Sequence, residues 1–144
     1  MPCAFDELFC MDGKPVGVDG YAAGYALVHV DADTGTVCIN YGLGCVYQID
    51  REDADNLRKV SIEVDRSKEM TLDDLFVLDN GLVYVEDDNW GSGYALSFAY
   101  PDAIMLYRAD APVDEISYAL LEDEGWAKPD GIHIFACKEV RHAD

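Results

Sequence analysis

Three histidines, five cysteines, a glycine-flanked serine and 29 carboxylates are the side chains of this 144-residue chain that could do chemistry. Each group fails a test of spacing. His29, His133 and His142 lie in or beside expected strands, with no sequence-local partner to mark a general base or a metal ligand. Ser92 stands between Gly91 and Gly93, whereas a nucleophile elbow needs glycines two residues to either side, where this chain has Trp90 and Tyr94. Asp31-Ala32-Asp33-Thr34-Gly35 starts as a calcium loop would, but the EF-hand glycine and glutamate positions hold Thr36 and Gly42. Gly42-Leu43-Gly44 follows a strand as a dinucleotide fingerprint does, yet Tyr47 takes the third glycine position and no helix opens to receive a pyrophosphate.

Cys3, Cys10, Cys38, Cys45 and Cys137 form no CxxC pair, and the gaps among the first four exceed the roughly two to four residues usual within a zinc ligand pair. The sequence therefore predicts reduced thiols, no metal and no cofactor. An odd cysteine count, no apolar run near the ~18 residues of a membrane span and a start, Met1-Pro2-Cys3-Ala4-Phe5-Asp6-Glu7, without a basic n-region read as cytoplasmic. The carboxylates are too many to be diagnostic: any two can fall close together without performing acid–base chemistry. An enzyme is the less favoured reading.

Placement of the charge is more informative than its amount. Residues 1–50 carry seven acids and one base, 51–68 five of each, 69–127 fourteen and one, and 128–144 three of each. Thirteen of the 19 net negative charges thus fall between Glu69 and Ala127, whose only base is Arg108. A globule of this length is on the order of 30–40 Å across, and ~30 Å of duplex DNA axis presents about 18 phosphates, a count comparable with fourteen carboxylates. Such a surface repels nucleic acid and anionic membranes and attracts basic proteins with salt-sensitive kinetics. The expected partner is a basic protein, such as one that binds nucleic acid, with this chain as a nucleic-acid mimic or an inhibitor of anti-defence or immunity type. The expected partner-binding residues are Asp73, Asp74, Glu86, Asp87, Asp88, Glu122, Asp123 and Glu124, with Trp90 as an aromatic anchor. The alternative is a small domain with an enzymatic or small-ligand role whose acidity serves only solubility or salt adaptation.

The elements that must position these residues are mostly strands. Asp79-Asn80-Gly81 lies between the apolar runs Leu75 to Leu78 and Leu82 to Val85, a hairpin signal. Glu86 to Gly93 reads as a polar loop. Tyr94 to Tyr100 alternates large and small residues, so a helix or second layer should lie close over Ala95, Ser97 and Ala99. Ile104 to Tyr107 returns as another strand. Earlier, residues 4–18 read as a hairpin turning at Asp12-Gly13, Ala26 to Tyr41 as a second hairpin, Cys45 to Ile49 as a short strand and Val60 to Val64 as a half-buried one. Asp50 should cap a helix over about 51–58, and Thr71 a short helical turn. Asp110-Ala111-Pro112 starts an amphipathic helix that Gly125 ends, before a last strand, Ile132 to Cys137. Gly-Tyr-Ala-Leu opens strands at both 24–27 and 93–96. The sum is one α+β domain spanning 1–144: a mainly antiparallel sheet of about eight or nine short strands, with one amphipathic helix near 112–124 and one or two minor helices packed on it.

Overall fold

Short turns between alternating strands allow only antiparallel pairing, and the chain builds two antiparallel sheets in an α+β fold. The computed structural model describes residues 4–20, 23–42, 46–88, 91–101, 103–109 and 131–140, and the backbone of 118–119. The first sheet has the order β1 (Pro15–Gly17), β2 (Tyr25–Asp31), β3 (Thr36–Asn40), β4 (Val46–Gln48). The second has β5 (Ile62–Glu69), β10 (Ile132–Glu139), β6 (Asn80–Asp87), β7 (Gly91–Tyr100) and β8 (Ala103–Arg108), extended at β8 by the two-residue β9 (Tyr118–Ala119). Three short helices, α1 (Phe5–Leu8), α2 (Arg51–Ala54) and α3 (Leu72–Leu78), complete the described elements.

Strand alternation separates the core into three layers. Ala26, Val28, Val37 and Ile39 face α1 and α2, burying Leu8, Ala54 and Leu57. Val83, Val85, Ala95, Ile104, Leu106 and Ile134 face α3 and its Leu75. Between the sheets lie Leu27 from the first and Leu82, Leu96, Phe98 and Tyr107 from the second. Full burial of side chains such as Leu27 and Leu96 contributes about 1.5–3 kcal/mol each. The repeated Gly-Tyr-Ala-Leu serves this arrangement on both sides. Tyr25 and Leu27 meet Tyr94 and Leu96 in the middle layer, while Ala26 and Ala95 lie in the two outer layers.

Polar contacts tie the sheets together. Asn40 Nδ2 donates to the Arg108 carbonyl at 2.9 Å across the layer, and Asn40 Oδ1 accepts the Gly42 N–H at 2.7 Å. Gly42 has a φ of +81°, and a Cβ there would stand 2.4 Å from the Phe98 ring, so glycine is required on both counts. Gly42, the described residue of the Gly42-Leu43-Gly44 motif, is thus a close-packed bend. Arg58 pairs with Glu139 of β10 at 2.5 and 3.3 Å, and Tyr25 donates to the same carboxylate at 2.8 Å.

Several expectations are corrected. The hairpin over 4–18 is instead α1 followed by β1, whose partner is β2, because Phe5 and Leu8, one helical turn apart, both pack on the α1/α2 layer. Leu75 to Leu78 is helix, not strand: Thr71 and Asp74 form a capping box, Leu72, Leu75 and Phe76 supply an apolar face, and Asp79 at φ +65° ends α3. Asn80-Gly81 then lies inside β6, opposite Phe98 and Ser97. The polar loop over 86–93 is mostly strand, since β6 runs through Asp87 and β7 starts at Gly91. The small face of β7 does carry a helix, namely α3. The Asp50 cap forms as expected, on a helix shorter than 51–58. The helix expected over 112–124 falls outside the described residues except at Tyr118–Ala119, which are strand, hydrogen-bonded to the free edge of β8.

Candidate functional site

The acids expected to bind a partner divide by what each carboxylate already does. Asp73 is exposed on the first turn of α3. Asp74 accepts the Thr71 N–H at 2.9 Å while its own N–H donates to Thr71 Oγ1 at 3.1 Å; hydrogen bonding to its carboxylate from the Thr71 backbone, then the Thr71 side chain, holds its carboxyl below the ordinary carboxylate range. Glu86 pairs with Arg66. Asp87 is 6% exposed, on the α3 side of β6, with its backbone laddered to both Gly91 and Ile132. Asp88 is exposed in the following turn, its N–H donating to the Gly131 carbonyl at 2.9 Å. Trp90, Glu122, Asp123 and Glu124 lie outside the described residues. Strand alternation sends Glu86 and Asp87 to opposite faces of the second sheet, so these neighbours do not share one acidic face. Asp73 and Asp88 are the expected residues left projecting to solvent.

Sequence reasoning missed a built cluster on β5. Phe135 pairs with Glu69 while Ala136 pairs with Asp65, so Arg66, Ser67 and Lys68 are extruded as a bulge. Asp65 Oδ1 accepts the Ser67 N–H at 3.0 Å and its hydroxyl at 2.5 Å, which lowers the Asp65 pKa and fixes the bulge as an Asx turn. Arg66 is thereby carried over the rings of Tyr84 and Phe135, at 5.1 and 5.7 Å from their centroids, and onto Glu86. Beside it His133 Nδ1 shares a hydrogen bond with Glu69 Oε1. The Asp65-Arg66-Ser67 triplet was the available sequence signal. The Arg66–Glu86 pair is internal to the cluster, and the bulge blunts the sheet edge against further pairing.

A larger feature opens on the first sheet. Ile39, Tyr41, Tyr47, Ile49, Val18 and Leu57 line a groove of about 830 Å³ whose polar lining includes Asp19, Asp53, Asp55, Asn56, Gln48 and Arg58. Tyr47 is 52% exposed and meets Tyr41 edge-on at 5.6 Å. Arg58, the cation in this lining, is committed to Glu139, which raises its pKa. Asp53 completes the capping box of α2 with Asp50, presenting its carboxylate at the helix start.

The other chemistry-bearing groups stay apart. His29 Nδ1 is 3.7 Å from Asp12 Oδ1, an oxygen that also accepts the Val30 N–H. Ser92 is exposed at the start of β7, beside a cavity of about 190 Å³ that buried Arg108 also lines. Among the described residues no three His, Cys, Asp or Glu side chains cluster to hold a metal ion. Among them too, no helix is long and apolar enough to cross a membrane. Comparison of the chain with protein-family models, curated proteins and solved structures finds no match.

Proposed function

We propose that this protein is a cytoplasmic acidic binding protein whose partner is a basic protein surface, and that it acts as an inhibitor or nucleic-acid mimic. The carrying observation is the excess of carboxylates over what the fold can use. Even with every Lys and Arg engaged in one ion pair, 19 carboxylates are left over. Among the described residues, Arg51 pairs with Asp6, Arg58 with Glu139, Lys59 with Glu7 and Arg66 with Glu86, so these cations are spent internally. A surface so unbalanced accelerates encounter with a cationic partner and disfavours nucleic acid, membranes and copies of itself. Asp73 and Asp88 are the members of the expected set best placed to contribute.

The test is capture from cell extract on immobilised protein, eluted by a salt gradient and then by duplex DNA or RNA. Basic nucleic-acid-binding proteins should be enriched, leave the matrix as the Debye length falls from about 10 Å at ~0.1 M to about 3 Å at ~1 M salt, and be displaced by nucleic acid. An Asp73→Lys, Asp88→Lys variant should associate more slowly with the recovered partner and respond less steeply to salt. Captured proteins that are not basic, or that ignore salt and nucleic acid, would overturn the proposal.

A further inference from the structure

The four strands of the first sheet end at β4, and β4 differs from the edge of the second sheet. The β5 edge is broken by a bulge and carries Arg66 and Lys68, two devices that prevent strand addition. The residues of β4, Val46, Tyr47 and Gln48, are all exposed, with no charge among them. Ile49 N–H donates to the Val37 carbonyl at 3.0 Å, and Tyr47 is the register partner of Ile39. Antiparallel pairing alternates residues bonded inward with residues whose N–H and C=O face out, so the backbone groups of Val46 and Gln48 point away from β3.

The groove lies on the same side of this edge. Tyr47 and Ile49 line it from β4 and the residue just beyond, with Ile39 and Tyr41 behind them. A strand laid against β4 would send every second side chain over this face, into the groove. Asp19, Asp53 and Asp55 wait there, all exposed, while the guanidinium in the lining is neutralised by Glu139.

We propose that β4 and its groove dock an extended, basic peptide segment by strand addition, with alternate Lys or Arg side chains placed among Asp19, Asp53 and Asp55 and their stems on Tyr41 and Tyr47. Charge selects the occupant. A second copy of this chain would bring another 19 negative charges to an acidic groove, whereas a cationic strand gains both ladder bonds and ion pairs. Aliphatic Lys and Arg stems suit the tyrosine rings, and the ammonium or guanidinium head stays near water at the rim. This inference rests on the basic-partner reading and gives it an address and a mode.

The test uses an acetylated, amidated octapeptide of alternating Lys and Val, titrated into isotopically labelled protein. The amide resonances of Val46 and Gln48 should shift and gain protection from solvent exchange, and binding should weaken about tenfold or more between ~0.05 and ~0.5 M salt. Gln48→Pro, which deletes an outward N–H from an edge strand, should abolish binding, while Gln48→Ala keeps it; Val46→Pro is the second variant, and circular dichroism identifies whichever remains folded. An Asp19→Asn, Asp55→Asn variant should weaken binding without moving the site. Proline variants that bind as tightly as the parent, or shifts at Asp73 and Asp88 with β4 unmoved, would overturn strand addition and leave the basic-partner reading standing. No binding of the peptide, together with no salt-sensitive basic protein from the extract, would overturn both.

Discussion

The cysteines show how single residues differ once the fold surrounds them. Cys10 is exposed, whereas Cys137 in β10 faces the middle layer, where burial pushes its thiol up to about 12; burial, then the nearby Asp31, raises Cys38 as well. An ordinary thiol ionises near ~8.5, so at mildly alkaline pH Cys137 is almost wholly protonated and unreactive. Native protein treated with iodoacetamide at about pH 8 should therefore be alkylated at Cys10 at least ~100-fold faster than at Cys137, read by peptide mass spectrometry, with the difference lost in denaturant. Equal native rates would contradict the burial of β10. The sign for stability follows. A folded-state pKa above the unfolded one contributes stability that is complete below the unfolded thiol pKa and is lost as pH rises toward the folded value, so Cys137, joined by the raised, half-buried Tyr25 and Tyr94, favours unfolding in alkali.

Among the elements, α3 carries the most information per residue. Its Leu75 is 1% exposed and packs on the face of β7 formed by Ala95 and Ala99. Leu75→Ala should cost about 2–5 kcal/mol in denaturant unfolding, because it removes buried methyl groups and leaves a cavity above the two alanines. A loss below ~0.5 kcal/mol would mean α3 lies elsewhere. The same helix shows where sequence signals compete. Alternation along β2, β3 and β7 was legible because each strand turns every second side chain into a buried layer. Asn80-Gly81 misled because an Asn-Gly pair between apolar runs is the usual mark of a tight hairpin, yet Asp79 takes the positive φ and frees both residues for the ladder. Thr71 and Asp74 gave the helix start, and only tertiary contact with the alanine face carries it on to Leu78. The site was less legible for a related reason. The extrusion of Arg66 depends on a register shift against β10, a strand more than sixty residues away in sequence, and the groove forms where α2 and the residues after it meet the face of β3 and β4. Asp87 is acidic in sequence but spatially interior, a distinction set by the face of β6 on which it falls.

At the scale of the molecule, the position of β10 has a kinetic consequence. β6, β7 and β8 pair through short turns, as do β2 and β3, so these units can assemble locally. The strand that joins β5 to β6 comes last in chain order: Lys138 must find Glu63 and Ile132 must find Asp87. Closing such long loops is slow, and until it happens β5 has no partner strand in its own sheet. Refolding should thus pass through a species with protected amides in β6, β7 and β8 while β5 and β10 still exchange, the latter two gaining protection together in pulse-labelling experiments. Protection of β5 ahead of β10 would contradict this order. Glu139, at the end of β10, meets Arg58 and Tyr25 only in that last step, so this one of the contacts between the sheets also reports that folding is complete.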